Sequence, residues 1–182
     1  VYGMDFSSDS INIAKKKSNH YGVNANTFFS VMDAEYLAYE DNTFDIIFSY
    51  GSLSYLTLEK SYKELNRVLK SGGKLIVIDS LGHNPIFRIN RIKNISRWAK
   101  DISSLIGTLK TKDIKLGEKY FKIESIKYFD LFTVLGALIF RYKKIFFVRY
   151  ILRAIDIIVL KIPFLKLGAF KYVAIYKSYK KY

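Results

Sequence analysis

Four apolar runs in the first 80 residues each end in a group that could bind or react. Asp5 follows VYGM, Asp33 follows NTFFSVM, Ser49-Tyr50-Gly51 follows FDIIF, and Asp79-Ser80 follows KLIVI, with His83 just beyond. A carboxylate can accept from both hydroxyls of a vicinal diol such as a ribose, and hydrogen bonds to a charged acceptor are the stronger kind. Asp5 offers this, and Asp33, one run later, could accept from the exocyclic amine of a purine. Tyr50 and Gly51 bracket a place where backbone can come close to a ligand. Imidazoles titrate near neutrality, so His83 could take a proton from an O–H or N–H. Each position also has a plainer use. Asp5 can sit at a helix N-terminus, where the helix dipole favours an acid. Asp33 can cap a loop, Tyr50 and Gly51 can be ordinary loop residues, and His83 can be bonded within the turn at Asn84-Pro85.

These groups matter only if the apolar runs are strands that end on one edge. VYGM reads as the end of a strand. Ser7 or Ser8 then N-caps a helix with Asp9 in its first turn, Lys15 to Lys17 near its end and Gly22 as its stop. NTFFSVMDA is a second strand. FDIIF, nearly all apolar, is a strand buried on both faces over Phe44–Ser49. TLEKSYKELNRVLKSGG is a helix capped by Thr57, with Tyr62, Leu65, Val68 and Leu69 on one face and Gly72-Gly73 as its end. KLIVIDS is the fourth strand. The order strand–helix–strand–strand–helix–strand predicts a parallel sheet covered by helices, and in open α/β sheets ligands bind at the carboxyl ends of strands.

The second half is less regular. A helix is expected after Pro85, a strand in YFKIESIKYF, a helix in YKKIFFVRYILRAIDIIVLKI and a last strand in AFKYVAIYKSYKK. In the latter helix, Arg149, Arg153 and Asp156 are spaced to share one narrow polar strip. The uncharged run Leu131–Phe140 is too short to span a bilayer.

With half of its 182 residues hydrophobic, the chain is globular. It has no cysteine, which excludes disulfides, thiolate metal sites and a cysteine nucleophile. Together with the lack of any signal-peptide pattern at residue 1, this sets a cytoplasmic expectation. The net charge of +14 is uneven. Residues 1–80 hold 8 Lys/Arg and 10 Asp/Glu, and residues 81–182 hold 22 and 6. A basic half can meet anionic lipid, nucleic acid or a phosphorylated substrate, or simply be a lysine-rich surface.

VYGMDFS, VMDAEYL, FDIIFSYGSLSYL and ELNRVLKSGGKLIVID, in that order, resemble the class I S-adenosylmethionine-dependent methyltransferases over residues 1–80. The resemblance implies an α/β, Rossmann-like, doubly wound and mostly parallel sheet with a helical insertion before the last strand. It implies S-adenosylmethionine as cofactor, with Asp5 on the ribose, Phe6 on the adenine face and Asp33-Ala34 on the adenine edge. Ser49, Tyr50 and Gly51 would lie near the methionine part and the substrate, where Tyr50 could also position the acceptor. A single domain is expected, with a cofactor-binding core over 1–80, a substrate-side basic insertion over 81–168, and a terminal strand and tail over 169–182. The family's first strand and its turn, acid-x-Gly-x-Gly-x-Gly, have no counterpart here, so an upstream stretch is expected and the sheet should show free edges where that strand belongs.

SLGHNPIFRINR resembles a subgroup with a Gly-His-Asn-Pro turn after the fifth family strand, which would bring His83 to the rim of the cleft. The expected reaction is methyl transfer to a small-molecule, sugar or lipid-linked acceptor by in-line displacement, where positioning supplies most of the rate. The alternative is a non-catalytic module of the same fold that binds a membrane surface or a partner. For the membrane, Arg141, Lys143, Lys144, Lys161 and Lys166 would meet anionic headgroups. Nucleic acid would use the same charges with Tyr142 and Tyr150, but no recognisable binding module supports that. Nothing in the sequence sets an oligomeric state.

Overall fold

A computed structural model describes residues 1–84, 109–133 and 146–180. The helix expected after Pro85, most of the Leu131–Phe140 run, and Arg141, Tyr142, Lys143 and Lys144 lie outside the described residues.

The first half folds in the expected order. β1 (Tyr2–Asp5) leads into α1 (Ser8–His20) and then β2 (Phe28–Val31), which pairs parallel to β1 with Tyr2 opposite Phe28 and Asp5 opposite Val31. Ser7 is the N-cap, its Oγ accepting from Ser10 N at 3.3 Å, and the helix stops at Tyr21 before Gly22, whose φ of +67° suits glycine. β3 (Phe44–Tyr50), α2 (Leu58–Val68) and β4 (Leu69–Ser80) repeat the unit, again with parallel strands. After α3 (Thr111–Leu116), β5 (Phe121–Phe129) and α4 (Phe146–Val159), β6 (Lys171–Ser178) runs antiparallel between β4 and β5. The larger sheet therefore has the order β3-β4-β6-β5, and β1-β2 forms a separate sheet.

The break between sheets lies where the sequence led us to expect free edges. Among the described residues the outer edge of β3 has no strand partner, and neither does the edge of β1 away from β2. The sheets still touch: the Tyr2 ring lies 5.8 Å from the Phe44 ring between centroids.

Three expectations are corrected. β3 is not buried on both faces, since Ile46 and Phe48 are exposed. KSGG does not end α2. The helix stops at Val68, and the glycines make an irregular entry into β4, where pairing jumps from Phe44–Leu69 to Ile46–Lys74. Gly72 has φ +79°, and a Cβ at Gly73 would lie 2.9 Å from the Asp45 carbonyl oxygen, so both positions need glycine for backbone reasons. In α4, Arg153 and Asp156 do not form a solvent-facing polar strip. Asp156 is only 3% exposed. It accepts from Phe132 N at 2.7 Å, Thr133 N at 3.1 Å and Thr133 Oγ1 at 2.7 Å. A carboxylate buried with three donors satisfies the start of another segment, as a helix-capping acid does.

The core lies on the larger sheet. Tyr62, Leu65 and Val68 of α2 pack with Leu75 and Val77 of β4, Phe121 of β5, and Tyr172, Ala174 and Tyr176 of β6. Tyr172, Ala174 and Tyr176 are two apart, so one face of β6 is buried throughout. Burial pushes the Tyr62 hydroxyl up to about 12.

Candidate active site

Asp5 and Asp33 follow neighbouring parallel strands. Met32 N donates to the Asp5 carbonyl at 3.0 Å, which holds the two strand ends side by side. Each carboxylate is arranged in the same way. Asp5 Oδ1 accepts from Ser7 N and Asp33 Oδ1 from Glu35 N, both at 2.8 Å. Each side chain is thereby tied to backbone two residues on, while Oδ2 meets no protein donor among the described residues. Phe6 is 81% exposed, its ring bare beside Asp5. Ala34 adds little bulk next to Asp33. Asp5 does not cap α1, since Ser7 does that.

Ser49, Tyr50 and Gly51 end β3. Ser49 is buried and Tyr50 exposed, as alternation requires. Gly51 donates to the Ile78 carbonyl at 2.9 Å with φ +67°, and a Cβ there would meet nothing within 4 Å. Glycine is thus required by conformation, and the space beside it is open. Sequence reasoning noted Asp79 at a strand end but missed its role. It is 4% exposed and accepts from Ser80 N at 2.7 Å and Ser54 N at 3.3 Å, clipping the turn after Gly51 to the end of β4. Burial pushes its carboxyl up, against the pull of those N–H groups. The signal was an acid at the end of an apolar strand.

A hydrogen bond joins the two groups of residues. Glu35 Oε1 accepts from Thr57 N at 2.6 Å, and this bond holds the Glu35 carboxyl below its usual value. The Asp33 loop is thereby fixed to the start of α2, just past the Gly51 turn. Arg67 secures the rest of that loop, donating to the Leu37 and Tyr39 carbonyls and to Asp41 and Glu64, all between 2.8 and 2.9 Å. Apart from the local pair of Glu64 with Arg67, these contacts are not marked by spacing in the sequence, because the partners lie 22 to 30 residues away.

His83 stands apart in role. It is exposed, and its Nε2 accepts from Thr111 N at 3.3 Å, holding the turn after β4 to the start of α3. A neutral imidazole has a single acceptor nitrogen, and here that nitrogen is engaged by backbone. Among the described residues no group of three or more His, Asp or Glu is placed to hold a metal ion.

Among the described residues the Asp5 and Asp33 side chains thus offer hydrogen-bond acceptors beside the exposed Phe6 ring, and the turn at Gly51 leaves open space beside its backbone. Residues 1–77 match the family described as Methyltransferase domain. The chain is 32% identical over 90 residues to sterol 4-C-methyltransferase strm-1 of Caenorhabditis elegans, covering 49% of this chain and 27% of that protein. It is 30% identical over 131 residues to the ubiquinone/menaquinone biosynthesis C-methyltransferase UbiE of Wigglesworthia glossinidia brevipalpis, covering 70% of this chain and 49% of that protein. The chain thus spans about half, or less, of the length of these curated relatives. Geranyl diphosphate methyltransferase, solved in complex with SAM, superposes with a TM-score of 0.64 at 15% identity, covering 99% of this chain and 68% of that one. The two separated sheets, the match of residues 1–77 and these relatives support a class I S-adenosylmethionine-dependent methyltransferase, whose fold the chain shares.

Proposed function

We propose that the chain binds the adenosine side of S-adenosylmethionine and serves methyl transfer to a small apolar acceptor of sterol, quinone or prenyl type. One observation carries the binding: Asp5 and Asp33, at neighbouring strand ends, each keep one carboxylate oxygen tied to backbone and one without a protein donor among the described residues. Asp5 would hold the ribose diol, Phe6 would cover the adenine face, and Asp33 would accept from the adenine amine with Ala34 leaving room. Gly51 would let backbone approach, with Ser49 behind it and Tyr50 exposed toward the acceptor. The cofactor, when bound, supplies a methyl group already activated on a sulfonium, so these residues need only orient and exclude water. His83 positions the turn after β4 in this reading. The names of the relatives, a sterol and a quinone methyltransferase, support the acceptor class. The division into a core over 1–80, an acceptor-side insertion over 81–168 and a terminal strand over 169–182 belongs to the same proposal.

The test is calorimetric titration with S-adenosylhomocysteine. Losing one charged acceptor should weaken binding about tenfold or more in Asp5→Asn and in Asp33→Asn, with unchanged melting because Asp5 is exposed and Asp33 half-buried. Equal affinity in wild type and Asp5→Asn overturns the ribose assignment. No binding by the wild-type chain overturns the cofactor reading and leaves the non-catalytic module.

A further inference from the structure

α4 wears its polarity the wrong way round. Its buried side carries the acid Asp156, while Phe147, Tyr150, Ile151, Ile155, Ile157 and Ile158 are exposed, Phe147 at 74%. At 100° per residue these six fall on one arc about 160° wide. The short turn that follows continues the pattern, with Phe164 and Leu167 also exposed. An apolar helix face turned to water is a surface that something covers.

The charges indicate what covers it. Residues 131–170 contain seven Lys/Arg and a single acid. That acid is Asp156, turned inward and fully engaged by Phe132 and Thr133. Arg153 is exposed at the border of the apolar arc, and Lys161 is exposed in the turn just past the helix end. Lys166 is not among them: it is half-buried, with its Nζ 5.9 Å from the centre of the Tyr128 ring. A helix with an apolar arc and cations flanking it fits the boundary of an anionic bilayer, where acyl chains take the arc and headgroups take the cations. A second copy of the chain would bring like charges together at the same face. No helix among the described residues is long and apolar enough to cross a membrane, so α4 would lie along the surface.

We propose that the outward face of α4 docks on an anionic lipid surface. β5 runs in the same direction as β4, so the segment between β5 and β6 leaves the larger sheet from the carboxyl edge that also bears Gly51 and Asp79. Docking would bring that edge toward the lipid. The proposal does not depend on methyl transfer.

The experiment is flotation of the full chain with vesicles of phosphatidylcholine alone and of phosphatidylcholine with about one-third phosphatidylglycerol, at low and high salt. Retention is expected on the anionic vesicles at low salt and should fall with salt. The double variant Ile151→Glu/Ile158→Glu should lose about tenfold or more in partitioning. Arg153→Glu/Lys161→Glu should lose retention on anionic vesicles. Both variants alter exposed positions, and unchanged melting verifies their fold. Absence of retention at low salt, or equal retention by wild type and Ile151→Glu/Ile158→Glu, overturns the proposal. So does a dimer by light scattering that the isoleucine variant dissociates without changing vesicle retention, which would assign the face to a second copy.

Discussion

The two sheets are made from similar apolar strands, yet they are held by different means. In the larger sheet, β4 and β6 bury alternate residues completely, from Leu75 and Val77 to Tyr172, Ala174 and Tyr176. In the smaller sheet no strand residue is fully buried; Tyr2 stacks on Phe28 with centroids 5.2 Å apart, and both remain more than half exposed. Beside the packing of Met4, Met32 and Leu37 against the core, a set of polar bonds ties the smaller sheet and its following loop to the rest. Arg67 and Glu64 of α2 grip residues 37–41, and Glu35 grips Thr57. Packing stability is thus concentrated in the larger sheet. The sheet whose strands lead to Asp5 and Asp33 is the loosely packed one, which suits the binding role proposed for it, since ligand-binding elements are drawn from the low-stability end.

The largest loss of stability is expected from the core. Tyr62 is fully buried and touches Tyr120, Phe121 and Tyr176. Tyr62→Ala should cost about 3–5 kcal/mol in urea unfolding and should weaken both sheets together. Loss confined to the smaller sheet would show that the core is not shared.

Arg67→Met separates the sheets more selectively. It removes the donors to Leu37, Tyr39, Asp41 and Glu64 and should cost about 2–4 kcal/mol. Amide exchange should quicken over 2–5 and 28–31 while β4 and β6 keep their protection. The variant should also change the acid limb of stability. Hydrogen bonding from Arg67 holds the Glu64 carboxyl below its usual value. That contribution is complete above the ordinary carboxylate range and is lost as pH falls through the lowered value. Melting from pH 7 downward should therefore decline less steeply in Arg67→Met. An unchanged acid limb would remove Arg67 from this role.

The smallest effect sharpens the account of the larger sheet. Tyr62 and Tyr176 share a hydroxyl contact at 3.4 Å, and Tyr176 donates to the Ile114 carbonyl at 3.0 Å. The Tyr172 hydroxyl is buried without a partner among the described residues. Tyr172→Phe should change stability by less than about 0.5 kcal/mol, or raise it, because it deletes an unsatisfied group. A loss of 1 kcal/mol or more would mean that this hydroxyl is bonded after all.

Much of the first half was legible because its signals are local. A run of apolar residues ending in an acid marks a strand and its carboxyl end at once, and Ser7 with Asp9 marks the helix that follows. Asp5 and Asp33 could be named for the same reason. The misreadings share another cause. KSGG has the composition of a helix end, but Gly73 is needed because the Asp45 carbonyl of another strand lies against it. Asp156 fits the polar strip of a surface helix by spacing, yet donors 23 and 24 residues earlier draw it inward. Glu35, Arg67 and the occupied nitrogen of His83 have the same character, being defined by partners that only folding brings near.

The outer strand β5 has a consequence for how copies of the chain meet. It carries Lys122, Glu124 and Lys127, and its pairing with β6 is interrupted between Ile123 and Ser125. Glu124 reaches past β6 to Lys74 of β4 at 2.9 Å. An edge that is kinked and charged is a poor template for another strand. β3 at the opposite end has Ile46 and Phe48 exposed and only Asp45 as a charge. Intermolecular strand addition, and the aggregation that begins with it, is therefore discouraged at β5, and the only strand edge of the larger sheet that is apolar among the described residues is the one at β3 where the expected upstream strand belongs.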